Sequence, residues 1–187
     1  MLKKTQKVPK IPSPAIKPHQ IIHWKPYRLA GRFPKPIRPW LTDRHSLTAK
    51  LKQHCNDFNI QRLFEGWEQP LASEQQLLKL PDGQKVWTRC VLLQCQQHPL
   101  VYARSLIPNF GSGNPWLNIQ QLGDQPLGEL LFQLPNLHRS HFEFSQTQLA
   151  WPHLPQTFNH PPHYARRNLF WQQQSPLLLT EVFLEML

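Results

Sequence analysis

Apolar positions recur along this chain with two spacings, and each change of spacing marks an element. Leu47, Leu51, Cys55 and Phe58 stand four, four and three residues apart. That is the one-face spacing of a helix, and Asp43 or Ser46 can cap its start. From Val86 the period falls to two, so that Trp87, Arg89, Val91 and Leu93 share one side of a strand. A turn at Gln97, His98 and Pro99 and a second strand from Leu100 to Ile107 complete a predicted antiparallel hairpin.

Downstream, residues 110 to 115 are a Gly- and Asn-rich loop, followed by a short helix from Trp116 to Leu122 and then Gly123. Pro126 suits the first turn of another short helix, with Asp124 or Gln125 before it and Leu127, Leu130 and Leu131 after it. Phe142 to Ser145 reads as a strand, Trp151 to Tyr164 as a Pro- and His-rich excursion, and Pro176 to Leu187 as a nearly all-apolar final strand. No internal repeat interrupts this order.

Length and charge divide the chain. Its 187 residues suit one domain with some extra sequence. The formal net charge of +10 lies wholly in residues 1 to 38, which hold ten Lys and Arg and no acid; the other 11 basic residues are balanced by 11 acids. Seven prolines in the same stretch remove backbone donors. Residues 1–38 are therefore expected to be an extended basic tail, and 39–187 the domain. Trp24, Tyr27 and Phe33 could lay part of the tail on that domain. A solubilising extension is the plain reading of the tail, and weak contact with anionic membrane or RNA the functional one. The neutral remainder predicts no specific nucleic-acid ligand. No apolar run is long enough to span a bilayer and no secretory signal is evident, so a soluble cytoplasmic protein is expected.

Cys55, Cys90 and Cys95 are odd in number and lack a C-x-x-C pair. Neither a disulfide framework nor a zinc cluster is indicated, and a reducing compartment fits. Cys90 and Cys95 flank the apolar run Val91 to Leu93 and read as inert packing residues. The pairs His138 with His141 and His160 with His163 lack a third ligand at matching spacing, so no metal is expected. Phosphate-binding loops, G-x-S-x-G and a Cys-His nucleophile pair are absent from the sequence.

Two charges stand where burial is expected. Glu181 sits within the run Leu177 to Leu184, and Arg89 lies between Trp87 and Val91 on its face of the strand. They are either a structural ion pair, which spacing alone favours, or the two ends of a polar ligand pocket. Arg104 alternates with Tyr102 and Leu106 on the neighbouring strand; two arginines would suit a dicarboxylate. The helix start at Leu127 adds backbone donors of the kind a carboxylate accepts.

The order of motifs carries a resemblance. WLTDRHSLTAKL at 40–51, VWTRCVLL at 86–93, VYARSLIP at 101–108, LGDQPLGELLF at 122–132, ARRN at 165–168 and SPLLLTEVFL at 175–184 together resemble bacterial chorismate lyases. The basic tail lies outside the resemblance, and residues 151 to 164 are longer and richer in Pro and His than the matching family stretch.

The resemblance implies an α+β single domain, with an antiparallel sheet of about six strands covered by helices and a small cavity beneath helical flaps. It also implies a cofactor-free enzyme that splits chorismate into pyruvate and 4-hydroxybenzoate for ubiquinone synthesis, and a monomer is expected. By motif, its ligand-holding residues fall on Arg89, Glu181, Leu47 and Leu127, which moves the weight from ion pair to pocket. Arg89 and Glu181 are the expected catalytic pair, and Arg104 is assigned to the enolpyruvyl carboxylate. A non-catalytic effector-binding domain of the same fold is the alternative, although a Pro-rich tail cannot supply a helix-turn-helix.

Overall fold

In the computed structural model, residues 22–147, 150–159 and 162–185 are described. Strands account for most of the regular secondary structure: β1 (Lys25–Pro26), β2 (Phe58–Glu68), β3 (Val86–Cys95), β4 (His98–Ile107), β5 (His138–Arg139), β6 (Glu143–Thr147), β7 (His163–Gln172) and β8 (Ser175–Phe183). They form one antiparallel sheet in the order β1-β6-β7-β8-β4-β3-β2, with β5 paired to β7 beside β6. Two of the eight are two-residue strands, and the other six match the expected sheet of about six.

The sheet has two distinct faces because side chains alternate along each strand. One face, bearing Trp87, Val91, Ala103, Leu179 and Phe170, packs under α1 (Arg38–Thr42), α2 (Leu47–His54) and α4 (Leu127–Gln133) in the main core. The other bears Cys90, Leu92, Tyr102, Ala165 and Val182 beneath Ile22, Trp151 and Leu154. The helix α3 (Ala72–Leu78) lies on that second side, its buried Glu74 gripping Arg104 of β4.

Local chemistry sets the helix ends. Ser46 caps α2, its hydroxyl accepting from the Ala49 N–H at 3.2 Å. Leu51 is buried on the helix, Cys55 ends it, and Phe58 already begins β2. Pro126 is the extended residue before α4 rather than its first turn, so the helix starts at Leu127. Leu117–Leu122 forms a 3-10 helix and ends at Gly123.

Several expectations need correction. The β3–β4 turn is Gln96–Gln97, both at positive φ, and His98 and Pro99 already belong to β4. Pro99 pairs with Gln94 beside the register shift at Leu93/Gln94, the kind of irregular site at which a strand accepts proline. The sequence reading did not find β2, α3 or β7. The final strand ends at Phe183, and residues 186 and 187 lie outside the described residues.

Residues 1–21 likewise lie outside the described residues, but from Ile22 the supposed tail is on the domain. Phe33 and Ile37 are buried in the main core, β1 pairs with β6, and Phe33 meets Phe144 and Tyr164 edge-on. Prolines do keep this stretch from any long regular element: it holds a two-residue strand and the 3-10 segment Tyr27–Arg32.

The cysteine reading is also overturned. Cys55 and Cys95 form a disulfide with Cα atoms 5.8 Å apart. Cys55 ends α2, and Cys95 is the register partner of Phe58 at the start of β2, so the fold closes a link that a separation of 40 residues hides. This bridge removes the cysteine argument for a reducing compartment. Cys90 is free and buried, and burial pushes its thiol up to about 11, which fits the inert role expected of it. Among the described residues, no helix is long and apolar enough to cross a membrane.

Candidate active site

A cavity opens between the first face of the sheet and the helices α2 and α4. Its floor comes from alternate residues of paired strands: Arg89, Val91 and Leu93 of β3, Ala103 and Ser105 of β4, and Leu179 and Glu181 of β8. Its cover comes from Leu47 and Thr48 at the start of α2 and from Leu127, Gly128 and Leu131 of α4. The two helices meet closely at Gly128, where a Cβ atom would lie 3.1 Å from Thr48 Oγ1 and 3.4 Å from Ser46 Oγ.

Arg89 is 1% exposed. One terminal nitrogen donates to the carbonyls of Gly123 at 2.8 Å and Gln125 at 3.1 Å, which ties the guanidinium to the loop before α4. Its Nε is buried with no hydrogen-bond partner, and the nearest carboxylate, Glu65, is 3.9 Å away. Burial holds its pKa below the usual guanidinium value, with Glu65 offsetting part of that. An arginine stays charged under such conditions, so the cavity wall carries a cation with spare donor capacity.

Glu181 is buried on the same floor but does not pair with Arg89. The register Arg166↔Glu181 places the two side chains together, and Arg166 Nε donates to Glu181 Oε2 at 2.5 Å. The same guanidinium donates through Nη1 to the carbonyls of Trp40 and Asp43, each at 2.8 Å. Glu181 is therefore compensated, as a buried carboxylate must be, by a residue the sequence reading had quoted only inside a motif.

Of the five residues expected at the site, Leu47, Arg89, Leu127 and Glu181 line this one cavity. Arg104 does not. Its register partners are Cys90 and Thr180, one step out of phase with Arg89 and Glu181, so its side chain projects from the opposite face. There it is fully buried, forms a two-pronged contact with Glu74 at 2.8 and 3.1 Å and also pairs with Glu68. His153 closes the network onto Glu68 at 2.7 Å and stacks on Phe64.

Arg139, Arg166, Thr48 and Ser105 also line the cavity and were not singled out from the sequence. The missing signal was β7: had residues 163 to 172 been read as a strand, Arg166 and Phe170 would have fallen on one face. Among the described residues no group of three His, Cys, Asp or Glu could hold a metal ion. His160, a member of one suspected pair, lies outside them.

The fold and cavity define an α+β small-molecule domain whose covered site carries one carboxylate and several guanidinium groups, suited to a compact anionic organic ligand. The chain belongs to the chorismate lyase family, whose model matches residues 20–187. A probable chorismate pyruvate-lyase of Hydrogenovibrio crunogenus is 46% identical over 87% of this chain and 90% of its own length. Another, from Aromatoleum aromaticum, is 34% identical over 90% and 95%. Among solved structures, the C-terminal domain of a histidine utilization repressor from Pseudomonas syringae is similar at a TM-score of 0.45 and 12% identity, covering 67% of this chain and 90% of that one.

Proposed function

We propose that the chain is a chorismate lyase that releases pyruvate from chorismate and leaves 4-hydroxybenzoate, the aromatic precursor for ubiquinone. The observation that carries this reading is the convergence of Arg89, Glu181, Leu47 and Leu127 on one covered cavity. The motif resemblance assigns the same four residues to the ligand.

In this reading the ring carboxylate accepts hydrogen bonds from Arg89 and from the backbone at the start of α4, where first-turn N–H groups lack intrahelical partners. Glu181 receives the 4-hydroxyl. Arg166 engages Oε2, which leaves Oε1 as the acceptor. Breaking the C3–O ether bond and removing the C4 hydrogen aromatises the ring, and that hydrogen ends on the enolpyruvyl methylene, which becomes the methyl group of pyruvate. Much of the driving force comes from the substrate. The protein selects a conformer, fixes it and excludes water.

Direct transfer of the C4 hydrogen in a cyclic transition state needs no base from Glu181, whereas a stepwise route does. Glu181→Gln separates them: a small loss of turnover supports positioning, and loss of all activity supports a base.

The test of the function is incubation of purified protein with chorismate and chelator, with chromatographic measurement of both products against Arg89→Ala. Equal yields of 4-hydroxybenzoate and pyruvate, lost in the variant, support the reading. Disappearance of chorismate no faster than in buffer overturns it and leaves a binding domain as the reading to test.

A further inference from the structure

Chorismate carries two carboxylates, and the proposed function places only one of them. The cavity lining holds three guanidinium groups, Arg89, Arg139 and Arg166, and one carboxylate, Glu181. Arg166 and Glu181 neutralise each other. Arg89 takes the ring carboxylate, and Arg104 is on the far face of the sheet. His45 also lines the cavity, but its side chain is 95% exposed and it bonds Asp43. One lining cation is left.

Arg139 stands on β5 opposite Phe170 of β7, a cavity residue, so the pairing directs both to the same side. One of its terminal nitrogens donates to the Arg44 carbonyl at 2.6 Å. Its guanidinium carbon lies 4.4 Å from the Phe142 ring centre, 5.1 Å from that of Phe170 and 5.7 Å from that of Phe132. These contacts fix the guanidinium in place without cancelling its charge, since among the described residues no acid comes within salt-bridge distance of it. Burial draws its pKa down to about 10, opposed by the more distant Glu181 and reinforced by Arg166. An arginine has five donors, and most of these remain open.

We propose that Arg139 binds the second carboxylate of a dianionic ligand, which is the enolpyruvyl carboxylate of chorismate, and is thereby the residue that separates substrate from aromatic product. The proposal rests on the chorismate lyase reading. It makes the cavity electrically matched to a dianion: Arg89 and Arg139 supply two positive charges beside a self-neutralised Arg166–Glu181 pair. After the ether bond breaks, each carboxylate stays with its own arginine, pyruvate at Arg139 and 4-hydroxybenzoate at Arg89.

The test compares wild type, Arg139→Met and Arg139→Lys in two measurements: steady-state turnover of chorismate, and direct binding of 4-hydroxybenzoate. Methionine keeps the apolar contact with the three rings and removes the charge. The expected result is a fall in kcat/KM of about 10- to 100-fold for Arg139→Met, the range for losing a charged hydrogen-bonded contact, with partial recovery in the lysine variant. Product affinity should stay within about threefold in both, which also reports that the variants are folded. Parallel loss of product binding and turnover would overturn the assignment, and so would unchanged turnover. Absence of turnover in wild type would instead defeat the functional reading on which the assignment stands, so the two failures are distinguishable.

Discussion

Arg166 and Glu181 face each other across the β7–β8 pairing, Nε to Oε2 at 2.5 Å, and Arg166 continues from there to the carbonyls of Trp40 and Asp43. One guanidinium thus ties the cavity carboxylate to the chain that enters α2. Removing it strands a buried carboxylate and several carbonyls together. Arg166→Met is expected to cost about 3–5 kcal/mol of stability, and Arg166→Met with Glu181→Leu distinctly less. Urea denaturation of the two variants checks this; a double variant no more stable than the single would show the pair to be uncoupled.

The Arg104 network predicts a different separation of effects. Arg104→Met should also destabilise by about 3–5 kcal/mol, because Glu74 loses its counter-ion and Glu68 keeps only His153. It should leave the 4-hydroxybenzoate affinity of the folded protein within about twofold, since Arg104 lies on the far face from the cavity. Denaturation and ligand titration on one preparation settle it, and a large loss of affinity would return Arg104 to the site.

Linking Cys55 to Cys95 restrains the unfolded chain across 40 residues. Reduction, or Cys55→Ser with Cys95→Ser, is expected to lower stability by about 2–4 kcal/mol. Thiol titration of the oxidised protein should find Cys90 unreactive when folded and available on unfolding.

Asp43 gives a pH dependence. Burial by itself would raise its pKa, but the His45 N–H and the side chains of Lys50 and His45 outweigh that and lower it from 3.8 to about 2. A carboxyl with a depressed folded pKa adds stability that is present above the unfolded value and is lost on acidification through the folded one. Stability should therefore fall between about pH 4 and 2, with less of this dependence in Asp43→Asn. Thermal melts across that range provide the comparison.

Gly128 sits where α4 crosses the start of α2. Gly128→Ala should push the two covering helices slightly apart, since Thr48 is buried and has little room to retreat. A few-fold faster dissociation of 4-hydroxybenzoate is expected, measured by competition kinetics; an unchanged rate would show that the cover does not limit release.

Much of this was legible where one periodicity dominated. The α2 face of Leu47 and Leu51, the β3 alternation through Arg89 and the apolar β8 around Glu181 were legible as elements, whereas the assignment of Leu47, Arg89, Leu127 and Glu181 to a ligand came from the motif resemblance. The edge strand β2 did not, because both its faces are half-buried or exposed over most of its length and Phe58 to Glu68 reads as neither period. Arg104 was misplaced because residues adjacent in a strand point to opposite faces, and phase cannot be set across strands without their register. The Cys55–Cys95 bridge and the Arg166–Glu181 contact depend on tertiary pairing, which no local spacing records.

The alternation that separates Arg104 from Ser105 constrains how this chain can change in length. Their side chains open on opposite sides of the sheet, Ser105 into the cavity and Arg104 into the grip of Glu74. Inserting one residue in β4 would swing a guanidinium into the cavity and leave Glu74 without its counter-ion, two faults from one event. A change of length is therefore better tolerated in a turn, such as Gln96–Gln97, than within the paired stretch Val101–Leu106.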